Sequence, residues 1–362
     1  MRADAKSYQF DQLPVIDYDK HPAYGRVLPM AQLGSRLKAV VYFAYGLILA
    51  AARRLIDAEH LPRPAAGEPK LGWVLRHLPI YLRLIILQRL SRLSAGNAYQ
   101  PKTERGANIL APLARDGVTG VRLAPDKLLE IRTQLAPHVA ILEQQLALRP
   151  ATAADAEETR LWLDPETNVE LYKAFNQTAA DLGVLEAASA YLKRPVGVGH
   201  LAVQINQPVE APSEFADVGV DSSATKHFHI DTSYNLLKLV IYLGDVGAAQ
   251  GPLSYLPGSQ RVKGSWDGLV RRANDFAGLS ATTPGARELF YALPEGWRRK
   301  ASFGADLVAE NDYARSILDD QWRVTSDDET AVLYDPNGIH RDGIVSAGRR
   351  VAVVIKLTEL PR

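Results

Sequence analysis

The 362-residue sequence predicts an α+β protein whose core is mainly β, an antiparallel sandwich or barrel carrying helices. Three observations predict it. Short runs of β-branched and aromatic residues, bounded by Gly and Pro, dominate from Val196 onward. Segments of helical period precede them and stop before Arg194-Pro195, so helices and strands are segregated along the chain rather than alternating. An apolar fraction of 47% with 8% aromatics is that of a folded chain with a sizeable core.

Taken in order, residues 1–35 are irregular, with breaks at Pro14, Pro22 and Pro29. Ala39–Ala52 is a 14-residue run without a charge, closed by Arg53-Arg54. A bilayer span needs about 20 apolar residues, so this run reads as a buried or interfacial helix. Trp73–Leu93 is a second apolar stretch, bearing Arg76, Arg83, Arg89 and Arg92 and no acid. It reads either as a helix packed on the core or as one lying on an anionic membrane surface. Residues 1–105 thus form a basic, apolar helical extension, and residues 106–362 the main domain.

Within that domain Ala107–Leu113 reads as a short helix and Gly117–Leu123 as a strand. Ala124-Pro125-Asp126 caps a helix over Lys127–Leu148, and another helical region covers about Asn168–Leu192. Val196–Asn206, Ser233–Leu243, Ala331–Tyr334 and Val351–Leu357 read as strands, and Gly251–Ser259 as a strand ending in a Pro-Gly turn. Residues 261–329, with Trp266, Trp297 and Trp322, break this pattern and read as an inserted lid or substrate-binding segment.

Composition excludes several classes. The absence of cysteine rules out a disulfide framework, a thiolate zinc site, an iron–sulfur cluster and a cysteine nucleophile. The net charge of +1 divides into +8 over residues 1–105 and −7 over the rest. An acidic main domain argues against nucleic acid as a partner. The first thirty residues carry Asp4, Asp11, Asp17 and Asp19 and no long apolar core, so no secretory signal is expected. The expected location is the cytoplasm, at the inner membrane face if the basic extension contacts lipid.

The chemistry-bearing stretch is Lys226-His227-Phe228-His229-Ile230-Asp231, with Gly338-Ile339-His340 far downstream and Arg349-Arg350 after it. On a strand, residues i and i+2 share a face, so His229 and Asp231 can reach one metal. Together with His340 they can fill one face of an octahedral ion and leave three positions open, as in non-haem Fe(II) oxygenases. An isolated His-x-Asp recurs by chance. Here it leads into a strand, a Gly-Pro-Leu-Ser-Tyr-Leu-Pro-Gly-Ser segment follows, and His340 and Arg350 flank the entry to the last strand.

With those pieces the segment His229–Leu357 resembles the phytanoyl-CoA dioxygenase family of Fe(II)/2-oxoglutarate-dependent oxygenases. The resemblance implies a double-stranded β-helix, the jelly-roll or cupin-like fold. It implies His229, Asp231 and His340 as iron ligands, 2-oxoglutarate as co-substrate and O₂ as oxidant. Arg350 would hold the distal carboxylate of 2-oxoglutarate, with Arg349 as the alternative. Gln204, Asn206 and Tyr242 are further candidates for contact with 2-oxoglutarate, and His227 and Lys226 for a place beside the metal or substrate. Gln260 departs from the family, which often has His there, at a position that is not a ligand. Asp231 itself favours hydroxylation or desaturation over halogenation, since related halogenases carry a small residue at that place.

Three functional readings follow. The first is a hydroxylase acting on a lipid or lipid-linked substrate at the membrane face, a choice resting on residues 36–93 alone. The second is a soluble tailoring oxygenase acting on a small metabolite. The third is a catalytically silent β-barrel binding protein, which an intact ligand set argues against.

Overall fold

The computed structural model describes residues 99–148, 158–208, 230–231, 235–261, 320–326, 330–343 and 345–360, with isolated helical positions at 34, 37, 40, 41, 44, 47, 79 and 90. Apart from those positions the apolar runs of the N-terminal extension lie outside the described residues, as does most of 261–329. No helix among the described residues is long and apolar enough to cross a membrane.

Helices come first. Helix α1 (Glu104–Asp116) starts where the Thr103 hydroxyl accepts from Gly106 N and ends at Gly117, whose positive φ of 77° closes the last turn. After β1 (Val118–Val121), α2 (Pro125–Leu148) opens on Pro125, suited to a first helical turn. The expected single helix over Asn168–Leu192 is two, α3 (Val169–Asp181) and α4 (Val184–Leu192). Gly183, at φ 77°, makes the break, a conformation that costs a side-chain-bearing residue.

The described strands form two sheets. The larger joins β1 to β2 (Glu158–Leu163), β3 (Val196–Asn206), β4 (Leu237–Tyr242), β7 (Ala331–Tyr334) and β9 (Arg350–Glu359) in the order β1-β7-β4-β9-β3-β2, antiparallel throughout. The smaller sheet, β6-β5-β8, joins β5 (Ser254–Tyr255), β6 (Trp322–Arg323) and β8 (His340–Arg341). Two antiparallel sheets face each other, the sandwich of a jelly roll.

Alternation decides what each face does. Leu201, Val203 and Ile205 on β3, Leu237, Leu239 and Ile241 on β4, and Val353, Ile355 and Leu357 on β9 pack on α1–α4. The opposite face sends Val240, Tyr242 and Ala352 toward Leu253, Tyr255 and Val324 of the small-sheet side. Strand β3 bulges between Val198 and His200, shifting its register against β9 by one residue.

Several expectations need correction. The strand expected over Ser233–Leu243 starts only at Leu237, and that over Gly251–Ser259 is two residues long, because Pro252 and Pro257 cannot donate to a ladder. Strand β2 was not expected at all. The segment assigned to the insertion returns to the fold before residue 329. Trp322 belongs to β6, paired with Tyr255, and is part of the smaller sheet rather than of a lid.

Candidate active site

Between the two sheets lies a cavity of about 200 Å³. Its floor is the inward row of the larger sheet, with Arg350, Ala352, Val354 and Lys356 alternating along β9. Arg160 and Trp162 enter from β2, Gln204 from β3, Lys238, Val240 and Tyr242 from β4, and Tyr334 from β7. His340, Asp342, Asp231 and Leu253 close it from the loops and the smaller sheet.

Strand parity separates the two arginines. Arg350 is 3% exposed and lines the cavity, opposite Asn206 in the β3–β9 register. Its Nη1 donates to Gly251 O, and its Nη2 donates to Asn206 Oδ1 at 3.1 Å. Arg349 points out of the sheet and pairs with Glu143 at 2.7 Å, its side chain 55% exposed.

Around Arg350 the polar groups interlock. Asp342 Oδ2 lies 3.4 Å from Arg350 Nη2 and accepts from Gln204 Nε2 at 3.3 Å. Gln204 Nε2 also donates to Asn206 Oδ1 at 2.7 Å, and Gln204 Oε1 accepts from Arg160 Nη2 at 2.7 Å. Asn206 Nδ2 is buried and meets no acceptor among the described residues. The Tyr242 hydroxyl accepts from Leu253 N, and burial pushes its pKa up to about 12 against the opposing pull of Arg350.

His340 is held rigidly. Its turn begins at Asp335, whose carboxylate accepts from Asn337 N at 2.9 Å and from the Tyr191 hydroxyl at 2.7 Å. Ile339 N donates to Ser259 Oγ, and the ring lies between Tyr255 and Tyr334, with centroids 6.3 and 5.1 Å away. His340 Nδ1 sits 2.9 Å from Gly338 O, so Nδ1 carries the proton and donates. In that tautomer Nε2 carries the lone pair, the form of imidazole that ligates a metal.

Asp231 faces that lone pair. It lies outside any strand, so strand alternation is not what places it. Its backbone N–H donates to Pro336 O at 2.8 Å, tying it to the turn that carries His340. Asp231 Oδ1 is 3.7 Å from His340 Nε2. The gap is too long for a hydrogen bond and short enough for one ion to bridge. Asp231 Oδ2 pairs with Lys238 Nζ at 2.5 Å. Burial is the largest single influence on the Lys238 ammonium and pushes it down, but Asp231 and Tyr334 together outweigh it, and the net direction is up.

Of the residues singled out from the sequence, Asp231, His340, Arg350, Gln204, Asn206 and Tyr242 come together here. His229, His227 and Lys226 lie outside the described residues. Lys238, Lys356, Asp342, Tyr334, Arg160 and Trp162 were missed. Lys238 is the single charge of β4 and Lys356 the single charge of the apolar run Val351–Leu357, both at the parity of the inward face, which is a readable signal. Arg160 and Trp162 went unseen with β2.

No protein-family model matches the chain, and no curated protein matches it in sequence. Solved structures do resemble it. The α-ketoglutarate-dependent epimerase SnoN from nogalamycin biosynthesis is 15% identical, with 70% of this chain and 83% of that one covered and a TM-score of 0.38. The carbocyclase SnoK from nogalamycin biosynthesis is 14% identical, covering 70% and 83%, at 0.42. EctD from S. alaskensis with bound Fe is 15% identical, covering 72% and 78%, at 0.40. Likeness at this level carries no argument about the site, which rests on the sheet order and side-chain geometry.

Proposed function

We propose that this chain is an Fe(II)- and 2-oxoglutarate-dependent oxygenase acting on a small metabolite, with hydroxylation of an unactivated C–H as the expected outcome. What supports it is one convergence. Asp231 Oδ1 and His340 Nε2 face each other across 3.7 Å, in the same cavity as a buried arginine already seated beside a carboxylate.

The residues present fit the groups this chemistry needs. An imidazole nitrogen and a carboxylate oxygen suit iron, and His229, two residues before Asp231, is the proposed third ligand. Asn206 Nδ2 is a buried donor in want of an acceptor, and Arg350 stands next to it. A carboxylate arriving there meets a planar two-pronged cation and an amide donor. When bound, iron with 2-oxoglutarate and O₂ supplies the oxidising power, releasing succinate and CO₂.

The chain's own residues do the rest. Arg350 and Asn206 anchor and orient the co-substrate. Lys238 holds Asp231 in place through Oδ2 and leaves Oδ1 toward His340. Gly338 O fixes the His340 tautomer. Val240, Val354 and Leu253 keep part of the wall apolar and limit water. The cavity's size and its charged lining favour a small polar substrate. The lipid reading rests on residues 36–93, most of which lie outside the described residues.

The test is spectroscopic. Mixing the protein with Fe(II) and 2-oxoglutarate without oxygen should give a weak visible charge-transfer band, absent in Asp231→Ala and in Arg350→Gln. A wild-type protein that gives no band and binds no 2-oxoglutarate refutes the reading.

A further inference from the structure

We infer that Asp342 determines which co-substrates the Arg350 end of the cavity takes. A 2-oxo acid whose far end is neutral and both donates and accepts, such as a primary amide, binds there on nearly equal terms with 2-oxoglutarate. This rests on the oxygenase reading above and names the chemistry of its co-substrate end.

The bonds already made by Arg350 carry the inference. Its Nη1 donates to Gly251 O. Its Nη2 donates to Asn206 Oδ1 at 3.1 Å and lies 3.4 Å from Asp342 Oδ2. One nitrogen of the fork thus stands beside two acceptors, and one of them is a carboxylate. Arg350, Gln204 and Asp342 all line the cavity. Asp342 is the more open member of its pair, 23% exposed against 3% for the arginine, so an arriving ligand meets the acid together with the cation.

The neighbouring amides fix which atoms donate. Asn206 Oδ1 accepts from both Arg350 Nη2 and Gln204 Nε2, the latter at 2.7 Å. Turning that amide over would set its NH2 against two donors. Asn206 Nδ2 is therefore a donor, buried and without an acceptor among the described residues. Gln204 is oriented in the same way. Its Oε1 accepts from Arg160 Nε and Nη2 at 3.1 and 2.7 Å, and its Nε2 faces Asp342 Oδ2 at 3.3 Å. The end consequently offers donors on Arg350 and Asn206 and an acceptor-only group on Asp342.

The two kinds of ligand end meet this set differently. A carboxylate presents acceptors alone, and its charge is opposed by that of Asp342. An amide sends its oxygen to Arg350 and Asn206 and its NH2 to Asp342. In a site made of donors only, exchanging a carboxylate for an amide forfeits a charge-assisted bond, a loss of about 10–150-fold in affinity. Asp342 removes most of that margin, because a site rejects the group that leaves one of its members wrongly paired. Arg160 stands behind Gln204, and its field acts alike on wild type and on a variant of Asp342, so such a variant isolates the acid.

The experiment titrates three oxamates sharing one iron-chelating head into the full chain held anaerobically with Fe(II). N-oxalylglycine ends in a carboxylate, N-oxalylglycinamide in a primary amide, and N-isobutyl oxamate in an apolar group of the same shape. In wild type the carboxylate should bind less than tenfold tighter than the amide. The amide should bind tenfold or more tighter than the isobutyl compound. Asp342→Asn should raise the preference for carboxylate over amide at least fivefold, and Asp342→Ser should move it the same way. Affinity for N-isobutyl oxamate should change less than twofold in both, which reports an intact fold and metal site. Three results each overturn the inference: a wild-type preference for the carboxylate of tenfold or more, a smaller margin of amide over isobutyl, or a rise below fivefold in Asp342→Asn. The wild-type comparison decides by itself if neither variant folds. A wild type that binds none of the oxamates and no 2-oxoglutarate refutes the oxygenase reading, and the inference with it.

Discussion

Asp342 occupies ground that the co-substrate is proposed to need. Its Oδ2 is 3.4 Å from Arg350 Nη2, and the Arg350 guanidinium is almost wholly buried while the Asp342 side chain is 23% exposed. Replacing Asp342 with Asn keeps the shape and an acceptor oxygen and removes only the charge. Unit charges about 4 Å apart interact by about 4 kcal/mol at an effective dielectric of ~20, before the cost of desolvating either partner. The retained hydrogen bonds and the partial exposure of Asp342 bring the expected net change to about 1–2 kcal/mol. That increment should appear twice, with opposite sign. Without ligand, Asp342→Asn should be less stable to urea by about 1–2 kcal/mol, because Arg350 has lost a compensating charge. With ligand, 2-oxoglutarate should bind about 5–30-fold tighter by anaerobic calorimetry, because no carboxylate must first be displaced. A variant that binds 2-oxoglutarate no tighter than wild type would refute the reasoning, and with it the placing of a carboxylate on Arg350.

Other outcomes follow from the scaffold around His340 and from the helices. Tyr191→Phe removes the donor to Asp335 Oδ2 and should cost about 1–2 kcal/mol in urea denaturation. It should also weaken Fe(II) binding, because that carboxylate shapes the turn before His340; unchanged metal affinity would count against this. Gly338→Ala would drive a methyl into the Tyr255 hydroxyl, which donates to Asp335 O, and should destabilise by about 2–3 kcal/mol, read as a drop in melting temperature. Glu186 accepts from Thr103 N, Thr103 Oγ1 and Lys102 N, and those bonds, Thr103's foremost, lower its pKa in the folded protein. A lowered folded value means stabilisation that is complete above the unfolded carboxylate pKa and lost as pH falls through the folded one. Glu186→Ala should therefore cost up to about 1 kcal/mol at pH 7 and progressively less below about pH 4; a cost independent of pH contradicts it.

The parts of the fold legible in the sequence are those whose stability is local or strictly periodic. β3, β4, β7 and β9 are rich in Val, Ile, Leu and Tyr and largely buried, and they announce themselves. β2 reads Glu-Thr-Arg-Leu-Trp-Leu, an edge strand mixing polar and apolar residues, and its pairing with β3 decides its structure. The two-residue strands β5, β6 and β8 exist through tertiary pairing alone. In the sequence, parity says only that one of Arg349 and Arg350 faces inward; β9 turns Arg350 toward the cavity and Arg349 toward Glu143. The same logic does not place Asp231, since Ile230 and Asp231 belong to no strand, and the Pro336 carbonyl ties Asp231 to the turn that carries His340 instead. Lys238 escaped because a lysine in a strand ordinarily marks the solvent face, and its partner Asp231 approaches from a loop that periodicity does not describe.

The bulge in β3 acts as a phase shifter. Ahead of it Val196 and Val198 point to the helices; after it Leu201, Val203 and Ile205 do so. One inserted residue, Gly199, thus exchanges even for odd midway along the strand, and a Cβ there would collide with Thr358 on β9. The exchange lets a single strand serve the helix-packed core along its whole length while Gln204 and Asn206 still stand on the same side as Arg350. Deleting Gly199 itself would leave Val198 and His200 in an unbroken ladder opposite Leu357 and Lys356, with both faces kept. Deleting one residue beyond it, with the bulge kept, would slide Gln204 and Asn206 into the core. Core and site are therefore locked to a common count, with Gly199 as its spare residue.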